Sequence, residues 1–161
     1  MMALVAPTLV AAVALPAAAW AASKPKPEKA TCTRLSGNAV HPPVTISGCA
    51  PAPNAPGSGT FTFPFATSGT STITWANGGK TTFSFSTKEI EPTKSTSKGT
   101  VPNKKFKCPA GDSLEAQLKG KVTGNSSLPA GDTGLKGSVK AFVCVTSTFN
   151  VSLVPGTIFK I

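Results

Sequence analysis

The chain has 161 residues, with sixteen basic residues against six acidic ones and a formal net charge of +10. That length suits one domain. Charged residues make up only 14% of the chain while Thr, Ser, Gly and Pro abound, a mixture that suits short strands joined by tight turns and argues against helices.

Residues 1–22 are almost wholly apolar, and Ala19-Trp20-Ala21 satisfies the small-x-small rule of a signal-peptidase site. We expect a signal peptide at 1–21, a mature chain from Ala22 and no transmembrane span after cleavage. The alternative is an uncleaved anchor, since about 20 apolar residues can cross a bilayer. No Lys or Arg precedes the run, a departure from the usual pattern, but Pro7, Pro16 and the alanine-rich end suit cleavage better. Every charged residue lies after this stretch, so the mature part keeps the full +10. Residues 22–30 read as a flexible, charged, Pro-containing linker, and 31–161 as a single all-β domain.

Four cysteines, Cys32, Cys49, Cys108 and Cys144, follow the export signal, and an even count there implies two disulfides. Of three pairings, Cys32–Cys49 with Cys108–Cys144 is favoured. Thr31 to Leu35 and Val44 to Gly48 form a candidate hairpin, and setting Cys32 opposite Cys49 also sets Leu35 opposite Ile46, with the two pairs on opposite faces. In the chain-entropy model the two links would stabilise by roughly 3 and 4 kcal/mol.

After a Pro-rich connector at 50–58, Phe61, Phe63 and Phe65 share a parity, as do Ile73 with Trp75, and Phe83 with Phe85. A three-residue loop at Thr67-Ser68-Gly69 would set Phe63 against Ile73 and Phe61 against Trp75. A second, at Asn77-Gly78-Gly79, would set Ile73 against Phe83. Each ends in glycine, as a type I turn followed by a left-handed residue requires. These residues should form one buried face, with Trp75 in the core. Pro64 cannot donate to a ladder, which places its strand at an edge or a bulge.

Residues 88–107 lack periodicity and carry Lys88, Lys94, Lys98, Lys104, Lys105 and Lys107, so they read as a basic loop. Ser113 to Thr123 alternates, with Leu114, Ala116, Leu118 and Val122 on one parity and Glu115, Gln117, Lys119 and Lys121 on the other. Leu114, Leu118 and Val122 also fit a helical period, but Gly120 and the Val-Thr pair favour a strand. Pro-Ala-Gly-Asp occurs at 109–112 and again at 129–132, which we read as reused turn chemistry. Val139, Ala141, Val143 and Val145 share a parity that Phe149, Val151 and Leu153 continue. A strand of that length would not fit a small domain, so a bend or hairpin is expected near Ser147-Thr148. Val154-Pro155-Gly156-Thr157 reads as a turn, after which Ile158 to Ile161 is expected to return as a last short strand. The total is about nine strands, mostly antiparallel, in a β-sandwich or small barrel.

No catalytic constellation is recognisable. His41, the single histidine, precedes two prolines in a loop, and no GxSxG elbow occurs for a triad with Asp112 or Asp132. Glu89 and Glu91 share a parity but sit among lysines, where solvated surface is the default for carboxylates. No metal site and no cofactor motif is expected, since no CxxC-type spacing occurs. Asn125-Ser126-Ser127 and Asn150-Val151-Ser152 match the glycosylation sequon.

The apolar leader, the four-cysteine spacing, the Trp75-Ala76-Asn77-Gly78-Gly79 hairpin and the ending Val151 to Ile161 resemble small secreted proteins of actinobacteria. The resemblance carries no activity and no site residues. The resulting expectation is a secreted, non-catalytic, envelope-associated binding or structural protein with a basic surface. Lys94, Lys98, Lys104, Lys105 and Lys107 are the candidate contacts for an anionic envelope polymer or lipid. Nucleic acid is not the expected partner, because export removes the chain from it and no aromatic-basic alternation appears. A secreted hydrolase with an unrecognised site, or a small-molecule carrier of β-sandwich type, are the alternatives.

Overall fold

The computed structural model describes residues 29–50, 57–63, 66–128 and 134–161. The expected signal peptide, most of the linker and of the Pro-rich connector, Pro64, Phe65 and Asp132 lie outside the described residues. Runs of β-branched and aromatic residues give eleven strands and no helix among the described residues: β1 (Thr31–Asn38), β2 (Val44–Ala50), β3 (Gly57–Phe61), β4 (Ser68–Trp75), β5 (Lys80–Ile90), β6 (Thr93–Thr96), β7 (Gly99–Pro102), β8 (Asp112–Ser126), β9 (Ser138–Thr146), β10 (Asn150–Leu153) and β11 (Phe159–Lys160).

β1 to β5, β8 and β9 are antiparallel neighbours in chain order. Both β10 and β11 pair with β9 on one side and with β1 on the other, so they share the eighth position end to end and close the barrel. Closure removes the open edges that a flat sheet would expose. β6 and β7 form a separate two-stranded hairpin inserted between β5 and β8.

The barrel's axis is filled by side chains. Val44, Ile46, Phe61, Ile73, Trp75, Phe83, Leu118, Val139, Val143 and Phe159 all lie in one buried cluster. Phe61 meets Phe83 and Phe159 with ring centroids 6.4 and 5.8 Å apart, both edge-on, the arrangement that aromatic quadrupoles favour. An eight-stranded barrel has just enough interior for side chains to fill it, as here. The Trp75 indole N–H donates to Thr81 Oγ1 at 2.9 Å, and Thr81 donates on to Asn125 Oδ1 at 2.9 Å, so the polar groups of these two buried side chains are satisfied.

Both disulfides form as the spacing predicts, Cys32–Cys49 and Cys108–Cys144. The register of the first hairpin also holds, with Cys32 opposite Cys49 and Leu35 opposite Ile46. The two pairs do not take opposite faces, however, since both join the core cluster. β1 changes partner from β11 at Thr31–Cys32 to β10 at Ser36–Asn38, and the inward side switches across the exposed Thr33-Arg34 between them.

The aromatic meander buries Phe61, Phe63, Ile73, Trp75, Phe83 and Phe85, but its register is two residues away from the expected one. Trp75 lies opposite Gly59, and Ile73 opposite Thr81. A Cβ on Gly59 would come within 2.8 Å of Ile73 and 2.9 Å of Trp75, so the indole requires a neighbour without a side chain. A shift of two preserves parity, which is why the buried set survives the error. The β4–β5 loop is Ala76-Asn77-Gly78, with Gly78 at φ 84° as its third residue, and Thr67-Ser68-Gly69 is no loop, since Ser68 and Gly69 already pair with β5.

β8 is a strand, as expected. A hairpin, not a bend, follows β9 at Ser147-Thr148, and Phe149 leaves the inward parity because it is the third loop residue, at φ 64°. The turn at Val154–Thr157 forms with Gly156 at φ 75°, and β11 continues the direction of β10 instead of reversing it. The expected basic loop at 88–107 is instead the end of β5, the β6–β7 hairpin and a strap leading to Cys108.

Candidate functional site

Even-numbered residues of β9 and odd-numbered residues of β8 from Glu115 to Lys121 point outward, and register stacks them into rows across the wall. One row runs Ser86, Lys119, Lys140, Lys160 across β5, β8, β9 and β11. The next runs Lys88, Gln117, Phe142. The third, nearest the β6–β7 end, runs Ile90, Glu115, Cys144, Ser152.

The strap covers the third row. Cys108 is bonded to Cys144, and the Lys107 backbone N–H donates to Glu115 Oε2 at 2.8 Å. Gln117 Nε2 donates to Glu115 Oε1 at 3.1 Å, so this carboxyl, only 1% exposed on the outside of the barrel, has a partner on each oxygen. Cys108, Asp112 and Cys144 place their ligand atoms within 4.8 Å of one another, but both sulfurs are consumed by the disulfide, so the group is no metal centre in this state.

The second row is left open as the floor of a groove. Two adjoining hollows of about 390 and 350 Å³ share Phe142 and Thr157. Lys104, Lys105 and Lys107 of the strap border the first; Lys140, Ile158 and Lys160 border the second. The floor is apolar where Phe142 and Val154 meet, the Val154 N–H donating to the Phe142 carbonyl at 2.9 Å. Lys140 Nζ stands 4.9 Å from the Phe142 ring centroid, a cation–π contact that holds this ammonium over the floor.

Of the five lysines the sequence nominated, the structure brings Lys104, Lys105 and Lys107 together in this groove. Lys94 lies on β6 in a separate hollow with Lys88 and Lys105, and Lys98 sits at the tip of the β6–β7 hairpin. Sequence reasoning missed Lys119, Lys140, Lys160, Phe142 and Glu115 as members of one surface. Their outward parity was readable; their side-by-side placement depends on strand neighbours 20 or more residues apart in the chain.

Lysines directly opposite one another across strands repel, so the row Lys119–Lys140–Lys160 works against folding by a few tenths of a kcal/mol per pair, roughly. His41 sits in the exposed β1–β2 loop, its backbone N–H donating to Asn38 Oδ1 at 3.1 Å. Glu89 and Glu91 are exposed. Asn125, in one sequon, is tied down by bonds to both the N–H and the carbonyl of Leu135. No family model, no curated protein and no solved structure matches this chain. No helix among the described residues is long and apolar enough to cross a membrane, and the two disulfides suit an oxidising compartment.

Proposed function

We propose that the protein is a secreted, non-catalytic binding protein of the cell envelope, and that the groove over Phe142 receives a segment of an anionic polymer. The observation that supports this reading is the lysine row, a repulsive arrangement on a rigid wall that the fold itself does not need. Strap lysines on one side and Lys140 with Lys160 on the other leave a channel into which an anion can settle between ammonium groups. The chain has fifteen lysines and one arginine, and ammonium groups act as point charges without the fork that reads a carboxylate or phosphate bidentately. The recognition is therefore by charge density and spacing.

The test is cosedimentation with isolated envelope, together with binding of long-chain polyphosphate as a defined polyanion, at low and high salt. The parent protein should bind in both assays and release as the Debye length falls toward about 3 Å near 1 M salt. The variant Lys104→Gln, Lys105→Gln, Lys107→Gln, Lys140→Gln, Lys160→Gln should bind neither. Retention by that variant, or indifference to salt, overturns the assignment.

A further inference from the structure

The floor of the groove carries chemistry that negative charge alone does not use. Phe142 points out of the barrel and is half-buried, and Val154 and Thr157 lie beside it in the first hollow. The ring is common to both hollows, whereas Lys140, whose ammonium stands over it, borders only the second. Toward the strap, the ring therefore forms part of an apolar floor with Lys104, Lys105 and Lys107 at its border. Neutral polar groups edge the same floor. Gln117 gives one amide hydrogen to Glu115 Oε1 at 3.1 Å, and an amide has a second hydrogen and a carbonyl oxygen to offer. Thr157 Oγ1 donates to the Val154 carbonyl at 2.7 Å, and a hydroxyl that donates once can still accept.

A ligand that uses all of this has a flat apolar face, hydroxyls at its edge and negative charge on its flanks. Polyphosphate has only the charge. An anionic lipid brings charge and an acyl chain, but the chain would run out of apolar floor within one row. Lys119, Lys140 and Lys160 lie to one side, and the strap covers the row of Glu115 on the other. A pyranose ring matches each feature. Its C–H face suits the negative face of an aromatic ring, its hydroxyls reach amide and hydroxyl groups, and a uronic acid adds a carboxylate for the lysines.

We propose, resting on the anionic-polymer reading, that the polymer is an acidic polysaccharide. One uronic-acid ring lies on Phe142, and the carboxylates along the chain settle between the strap lysines and Lys140 with Lys160. The test compares polygalacturonate with polyphosphate at matched charge, using the full chain. The parent should bind both at low salt and release polyphosphate first as salt rises, because ring stacking is not screened. Phe142→Ala should lower affinity for polygalacturonate about tenfold and leave polyphosphate binding in place. Phe142→Trp should keep polygalacturonate binding, and its emission should change with that polymer beyond any change in the parent. Equal loss of both polymers in Phe142→Ala would make the ring a mere support for Lys140 and overturn the proposal, with the anionic-polymer reading intact. An indole at 142 that does not respond to bound polygalacturonate also overturns it. Binding to phosphatidylglycerol vesicles that depends on Phe142, without binding to polygalacturonate, overturns it in favour of a lipid. A parent that binds neither polymer overturns the anionic-polymer reading and this assignment together.

Discussion

The two faces of β9 alternate residue by residue and follow different rules. Inward, Val139, Ala141, Val143 and Val145 are buried against the opposite wall, and their identity follows from filling the barrel. Outward, Lys140, Phe142 and Cys144 carry a charge, an aromatic floor and a crosslink. The inner set lowers the free energy of folding, whereas the outer set includes a like-charge contact that raises it. A single strand therefore separates a face retained for stability from one that also carries Lys140, whose placement between Lys119 and Lys160 stability does not explain. The disulfides divide the same way. Cys32–Cys49 joins neighbouring strands within the core cluster, while Cys108–Cys144 fastens a strap to the outside.

Breaking the inner face should give the largest effect. Phe83→Ala removes a ring at the centre of the barrel and should cost about 3–5 kcal/mol, read as a lower midpoint in guanidinium unfolding. Replacing Cys108 and Cys144 together by Ala opens a 36-residue separation and should cost up to about 4 kcal/mol in the chain-entropy model. Its distinguishing mark is faster amide exchange at Lys107, whose N–H then loses its fixed position on Glu115. The same change at Cys32 and Cys49, 17 residues apart, should cost about 3 kcal/mol and leave the Lys107 amide protected. Lys119→Gln on the outer face should act in the opposite sense and raise stability by a few tenths of a kcal/mol, roughly, in thermal unfolding at low salt, since it relieves the contact with Lys140 and leaves Lys140 on the Phe142 ring.

Parity made much of the inner face legible from sequence. The strand at β8 and the buried aromatic set follow from alternation, whereas the cystine pairing and the β1–β2 register came out right although the opposite-face argument behind them failed, since both pairs face the core. The register of β3, β4 and β5 did not, because it depends on the room that Gly59 leaves for the Trp75 indole, a contact between strands. Glu115 and Phe149 were misread for a related reason. Glu115 counts as solvated by parity, and only the strap makes it buried; Phe149 counts as inward until a three-residue loop takes it out of the strand. The groove was half visible. Lys104, Lys105 and Lys107 stand close together in the chain, whereas Lys119, Lys140 and Lys160 meet only through closure of the barrel.

The central claim is that the outer lysine row is kept for binding at a small cost in stability. It is tested most directly by measuring both properties in one variant, Lys119→Gln with Lys160→Gln, which removes both like-charge contacts and leaves Lys140 on the Phe142 ring. The account predicts a thermal midpoint equal to or above that of the parent, together with loss of salt-sensitive polyphosphate binding. A lowered midpoint with binding intact would contradict it, and would make the row a structural feature of the wall.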